Sequence, residues 1–327
     1  RTVEAAEPGG PEVLKLAQRP IPACGDNDIL IRVAAAGLNR ADILQRRGQY
    51  PSPPGAPTNP GLEVSGTVVA LGAKVSQFKV ADKVCALLQG GGYSDFCAVN
   101  EGQVLPVPES VSLIEAAALP EACFTVWSNV YEFGRLKRGE SLLVHGGSSG
   151  IGSFAIQIAT ALGSEVYATA GSDDKVRFCQ KLGALHGINY KTQDFVTAIH
   201  ERTEGRGVNV ILDMVGAQYL ERNLQTLATE GRLVMIAAQT GSKANIDLMQ
   251  IMQRRLVVTG SMLRTRATEF KREIRDKLLT NVWPLLRNGQ VKPIVDRAFP
   301  FDEASSAHEY METSAHMGKL ILTFSAS

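Results

Sequence analysis

The apolar positions along this chain change rhythm twice. Through residues 1–118 they come in short β-like runs, and Ile29–Val33, Val64–Ala70 and Lys83–Leu88 read as strands. Glycine and proline punctuate them at Pro51–Gly55, Asn59–Gly61 and Gly90–Gly92. Only Asn39–Arg47 has helical spacing, so an irregular, mostly antiparallel β domain is expected. From Ser112 the spacing becomes helical, in Leu113–Leu119 and Phe124–Val130. From residue 141 to 260, strands and helices alternate. The strands are Ser141–His145, Glu165–Ala170, His186–Asn189, Val208–Asp213, Arg232–Ile236 and Leu256–Gly260, with helices at 150–162, 173–182, 192–203, 218–228 and 246–253. That alternation predicts a parallel, doubly wound α/β sheet. Two last strand-like pieces, Asp296–Pro300 and Lys319–Phe324, have no place in a six-stranded parallel sheet. The tail is therefore expected to return to the β domain. The predicted domains are 1–119 with 262–327, and 120–261.

Composition narrows the partners. The 34 basic and 33 acidic residues nearly cancel, which argues against nucleic acid or an anionic membrane recognised by net charge. No apolar run approaches the ~18–20 residues of a membrane span. The start, Arg1-Thr2-Val3-Glu4, does not read as a signal peptide. Five cysteines without a Cys-x-x-Cys pair fit a reducing compartment, and a cytoplasmic location is expected.

The chemistry-bearing motif is His145-Gly146-Gly147-Ser148-Ser149-Gly150-Ile151-Gly152, between an apolar strand and an apolar helix. Only glycine lets backbone approach a pyrophosphate this closely, and the helix N-terminus adds free N–H groups and a positive dipole end. NAD-specific folds end the second strand with an acid that binds the ribose 2′-OH. Here that strand ends Ala170-Gly171-Ser172 and Lys175 follows, so donors and a counter-charge favour NADPH over NADH. Tyr190, after the third strand, offers a hydroxyl or a ring edge to the adenosine. Asp173 and Asp174 count against this, but first-turn acids also suit the helix dipole. His145 reads as a strand-end packing residue, and His186, His200, His308 and His316 have no catalytic spacing.

A β domain followed by a nucleotide domain resembles the medium-chain dehydrogenase/reductase superfamily, over nearly the whole chain. Its zinc enzymes place a Cys where this chain has Asn39 and a His where it has Leu62, within Gly61-Leu62-Glu63. Their structural zinc lobe needs four close cysteines, and residues 89–104 hold only Cys97. Neither an amide nor a leucine replaces those ligands, so no metal is expected. The zinc-free quinone oxidoreductase group, related to zeta-crystallin, is the branch that fits. Leu38–Asp42, Gly48–Gly55, Pro60–Gly66, Ala116–Ala122, Leu212–Gly216 and Gly318–Leu320 look like it. The Asn-Arg-Ala-Asp and Gly-Gln-Tyr strings point to its p53-induced quinone oxidoreductase subgroup.

The resemblance implies a GroES-like domain with a Rossmann domain, NADP(H) without zinc, and hydride transfer to a quinone or enone in the cleft between domains. It implies that Asn39 and Tyr50 line the reaction site and that Thr125 contacts the nicotinamide. Ser149, Gly150, Ile151 and Gly152 would hold the pyrophosphate. Gly171, Ser172, Lys175 and Tyr190 would form the 2′-phosphate pocket. Gly216 would lie by the ribose, with Ala237, Ser261, Met262 and Leu263 near the nicotinamide. Lys319 would reach a cofactor phosphate. Plainer readings stand beside these: a cap residue for Asn39, a loop aromatic for Tyr50, a helix residue back-bonding to its own turn for Thr125, and a solvated lysine for Lys175. Two alternatives to a quinone reductase remain open. One is an enoyl-thioester reductase using Arg264, Arg266, Lys271 and Arg272 as a basic groove, although a solvated basic helix explains them too. The other is a non-enzymatic NADPH-binding protein. Relatives pair the sheet edge, which suggests a homodimer through Leu256–Gly260.

Overall fold

The structure, a computed structural model, describes residues 1–324. It divides into two compact units, Arg1–Phe124 with Arg264–Arg287 and the described residues from Pro293 onward, and Thr125–Leu263 with Asn288–Lys292. The divisions fall at 124/125 and 263/264, not at 119/120 and 261/262. Residues 288–292 also leave the expected tail segment. The cause is Gln157, whose side chain donates to Lys292 O at 3.1 Å and accepts from Lys292 N at 2.9 Å.

The first unit is built on a seven-stranded sheet. Its order is Val295–Pro300, Lys319–Thr323, Asp28–Gly37, Glu63–Leu71, Lys83–Leu87, Val104–Pro106, with Phe96–Asn100 also pairing with Asp28–Gly37. The last strand of the chain pairs antiparallel with Asp28–Gly37 through Ile321–Gly37, Leu322–Ala36 and Thr323–Ala35. Alternate residues of Asp28–Gly37, Ile29, Ile31 and Val33, point into a core completed by Val64, Val84, Tyr93 and Leu320. Arg40–Arg46 is a helix, as its spacing predicts.

The second unit is a six-stranded, all-parallel sheet. Its order is His186–Asn189, Glu165–Ala170, Ser141–Val144, Val208–Asp213, Leu227–Met235, Val257–Gly260. Numbered along the sheet's own chain order this is 3-2-1-4-5-6, with a reversal between Ser141–Val144 and Val208–Asp213. Ser141–Val144 is buried throughout, as a central strand covered on both faces must be. The fifth strand is longer than expected and begins at Leu227, because its helix stops at Thr226. The helix expected from 192 starts at Phe195, where the Asp194 carboxylate caps Thr197 N at 2.9 Å. Phe124–Val130 is helical, and Trp127–Phe133 adopts π-helical geometry. Among the described residues no helix is long and apolar enough to cross a membrane.

Candidate functional site

The glycine turn lies at the carboxyl end of the first parallel strand, beside the reversal in strand order, where such sheets bind ligands. Ser149 caps helix Gly150–Ala161, its Oγ accepting from Gly152 N at 3.0 Å. The preceding amides of Gly150 and Ile151 belong to the first turn, where no helical carbonyl reaches them. A Cβ at Gly152 would stand 2.3 Å from Gly146 O and 2.7 Å from Gly147 Cα, and Gly146 has φ +65°. Glycine is thus required for the strand–helix approach. His145 is a buried packing residue. Its Nδ1 pairs with Thr169 Oγ1 at 3.0 Å and its Nε2 with Asn223 Oδ1 at 2.7 Å.

At the end of the second strand, Ser172 Oγ accepts from Lys175 N at 3.3 Å and caps helix Asp173–Lys181. A Cβ at Gly171 would meet the Tyr190 hydroxyl at 2.7 Å, so Tyr190 lies against the end of the second strand. Both neighbouring acids have partners. Asp173 accepts from Asn189 Nδ2 at 2.7 Å, and Asp174 is ion-paired with Arg177. Neither acid is left without a partner to repel a 2′-phosphate. A dinucleotide suits this donor set.

After the fourth strand, Gly216 takes φ +90°, and the Asp213 carboxylate accepts from Val215 N and Gly216 N at 2.9 and 3.0 Å. Asn129, which the sequence did not single out, ties two expected residues together. Its Nδ2 donates to Thr125 O at 2.8 Å and its Oδ1 accepts from Ser261 Oγ at 2.8 Å. Ala237 is exposed, Leu263 is buried, and the Met262 side chain is open to solvent.

In the first unit the structure alters two expectations. Asn39 is the N-cap of helix Arg40–Arg46, with Asp42 accepting from its backbone N at 2.8 Å. Its side chain is spent internally, Nδ2 donating to Glu63 at 2.9 Å and Oδ1 accepting from Lys319 Nζ at 2.7 Å. The amide is not aimed freely at an acceptor. Lys319, expected to reach a cofactor phosphate, is only 3 % exposed. Its ammonium is committed to Leu38 O at 3.0 Å, to Asn39 Oδ1 and to an ion pair with fully buried Glu63. No donor is left over for a phosphate. Next to this pair, burial pushes the Asp42 carboxyl up to about 6, against its bonds from Gly61 and Asn39 and the nearby Lys319 and Arg264 charges.

Tyr50 has a different setting. It is part-buried, and the Arg264 guanidinium carbon lies 5.3 Å from its ring centroid. Burial foremost, then Glu121, raises its hydroxyl above the ordinary tyrosine value, while Arg264 works the other way. Of the four cations read either as a basic groove or as a solvated helix, Arg266 is part-buried and Arg272 exposed, while Arg264 and Lys271 are buried. Arg264 is 5 % exposed and Lys271 1 %. Lys271 Nζ donates to Arg264 O at 3.1 Å, and burial pushes its ammonium down to about 8.

The donor set does not suit zinc. At the two ligand places stand an amide already bonded on both sides and Leu62, which is buried. The adjacent Glu63 carboxylate is neutralised by an ammonium that would repel a dication. Among the described residues no cluster of three His, Cys, Asp or Glu is placed to hold a metal.

A GroES-like β unit with a doubly wound nucleotide sheet defines a medium-chain dehydrogenase/reductase. Residues 25–109 match the alcohol dehydrogenase GroES-like domain and residues 150–278 the zinc-binding dehydrogenase domain. The chain is 32% identical to the quinone oxidoreductase of Rattus norvegicus over 325 residues, covering 98% of this chain and 97% of that protein. The crystal structure of Escherichia coli quinone oxidoreductase complexed with NADPH superposes with TM-score 0.88 at 30% identity, over 98% of this chain and 99% of that one. The CurK enoyl reductase superposes with TM-score 0.86 at 30% identity, over 99% of both. The chain belongs to the quinone oxidoreductase group of that superfamily.

Proposed function

We propose that the protein is an NADPH-dependent reductase of quinones or similar electron-poor alkenes. The observation that carries the reading is the capped glycine turn at the sheet's reversal, with Ser172 and Lys175 at the next strand end and both nearby acids paired. The rat and bacterial relatives support the acceptor class and the nucleotide. When bound, NADPH supplies a hydride, and a quinone that takes it with one proton becomes the hydroquinone, leaving NADP⁺.

The chain's own residues bind and orient. The N-terminus of Gly150–Ala161 receives the pyrophosphate, and Lys175, Ser172 and Tyr190 the 2′-phosphate. Gly216, Ala237, Ser261, Met262, Leu263 and Thr125 flank the nicotinamide half. The Tyr50 hydroxyl donates to the acceptor oxygen as its charge grows. Asn39 acts through Glu63 and Lys319, as part of the wall rather than as a donor. No zinc takes part in this reading. A cytosolic location belongs to it, supported by five free cysteines. So does a homodimer through Val257–Gly260, an open edge of the parallel sheet beside the exposed Met249 and Met252.

The test is NADPH oxidation followed by absorbance with a panel of ortho- and para-quinones, with NADH as the paired control. Quinone-dependent oxidation faster with NADPH is expected. The likeness to the CurK enoyl reductase favours a second reading, enoyl-thioester reduction. The burial of Lys271, whose ammonium is bonded to Arg264 O, removes one cation from the groove that reading needs. Silence with quinones and turnover of crotonyl-CoA would establish it instead. NADPH binding without transfer to either acceptor would leave a non-enzymatic binding protein.

A further inference from the structure

Arg264 holds one buried nitrogen in reserve. Its Nε donates to Gln89 O at 2.8 Å and its Nη2 to Ser52 Oγ at 3.0 Å. Gln89 Nε2 returns a bond to Arg264 O at 3.2 Å, and Lys271 Nζ adds another at 3.1 Å. The guanidinium is thus held at two of its nitrogens, and the residue's backbone carbonyl by two further bonds. Nη1 is buried and has no protein partner. Leaving such a group unpaired costs about 1–3 kcal/mol, more when it is charged, so native proteins rarely do so without a function. The charges around it are those of Lys271, Glu121 and Asp42, and Tyr50 supplies the adjoining aromatic wall. Tyr50 is the part-exposed wall, in a segment punctuated by Gly48 and Gly55 with φ of +72° and +81°.

We propose that Arg264 is the acceptor-binding residue of the first unit, its Nη1 taking the acceptor's anionic or anion-forming oxygen once the Tyr50 ring turns aside. The proposal rests on the quinone-reductase reading and names the group that recognises the acceptor. A guanidinium already held by Gln89 and Ser52 needs no reorganisation as charge grows on that oxygen, the condition under which a fixed donor counts most. A Lys at this place would keep the charge but not the two tethers.

Two measurements test it. The first is binding of 2-hydroxy-1,4-naphthoquinone, an anion at neutral pH, to the NADP⁺-loaded protein, read by absorbance. The second is the kcat and KM for 1,4-naphthoquinone with NADPH. Arg264→Met should weaken anion binding at least tenfold and lower kcat about 10²-fold. Arg264→Lys should recover part of the anion binding, and NADP⁺ binding should not change in either variant. A thermal melt of each variant separates these effects from loss of fold. Anion binding equal in wild type and Arg264→Met, or absent from the wild type, overturns the proposal whatever the turnover. Anion binding lost in Arg264→Met, in a wild type that turns over no quinone, keeps the site and removes the reductase reading.

Discussion

Lys319 Nζ donates to Asn39 Oδ1 at 2.7 Å while ion-paired with Glu63, whose side chain is fully buried. A lysine 280 positions away thereby helps to fix the Asn39 amide. Removing the ammonium strands a carboxylate away from water. Lys319→Met should lower stability by about 3–5 kcal/mol, measured by urea denaturation. Adding Glu63→Gln to it should restore most of the loss, because the neutral amide can still accept from Glu121 N, now bonded at 2.9 Å. A single variant as stable as the wild type would show that the pair does not hold this part of the fold.

Gly152 cannot carry a side chain without moving backbone. Its Cβ would lie 2.3 Å from Gly146 O, and neither that carbonyl nor the Gly147 Cα can rotate away. Gly152→Ala should displace the turn, costing about 1–3 kcal/mol, the usual range for overpacking. NADPH affinity should fall with it, measured by fluorescence titration. Unchanged affinity would separate this turn from the cofactor.

In the proposed reading Lys175 carries the nucleotide choice. Lys175→Ala should raise the KM for NADPH by tenfold or more, about 1.4 kcal/mol, and leave that for NADH nearly unchanged. Equal effects on both would mean that the lysine shapes the pocket without reading the phosphate.

His145 couples the fold to pH. Burial, the largest influence, and Arg222 push its imidazole down to about 4, against the bond to Asn223. The unfolded chain takes up this proton near 6.5, where the fold still refuses it. The stability contribution is therefore complete above pH 6.5 and is lost as pH falls toward 4, about 2 kcal/mol of it by pH 5. Asp42 and Asp213, both pushed up to about 6 by burial, run the other way and add stability as pH falls below 6. His145→Gln should show a smaller loss than the wild type between pH 7 and 5 in chemical denaturation. Identical slopes would place the proton elsewhere.

What the sequence made legible follows from which interactions are local. Glu165–Ala170, His186–Asn189 and Val208–Asp213 have the expected bounds, and the first and third owe this to largely apolar runs that are buried nearly throughout. The glycine turn was legible for the same reason, since its chemistry lies within eight consecutive residues. Asn39 and Lys319 were picked out by position, yet their roles were misjudged. Strand pairing across the whole chain sets what their polar atoms meet, and no local pattern records it. Arg264 and Lys271 read as a solvated helix face for a related reason. Their charges gave no sign that Gln89 and Ser52 would bind the Arg264 guanidinium and that Lys271 would turn to the Arg264 carbonyl. Asn129 left no signal at all, because its two partners lie in different elements.

Tyr50 separates the ring's role from the hydroxyl's. The ring packs against Arg264, and a phenylalanine keeps that contact. The hydroxyl has no hydrogen bond to the protein among the described residues, so Tyr50→Phe removes no internal bond and should leave the melting temperature within about 1 °C, as for a surface change. In the proposed reaction the hydroxyl is one of the donors to the growing charge on the acceptor oxygen. Its loss should then lower kcat with 1,4-naphthoquinone by about 10²-fold while NADPH binding stays constant. A fall in kcat with no change in melting or NADPH affinity assigns the hydroxyl to the reaction. Full activity in the variant would leave Tyr50 as the cover of Arg264 and pass proton donation to water.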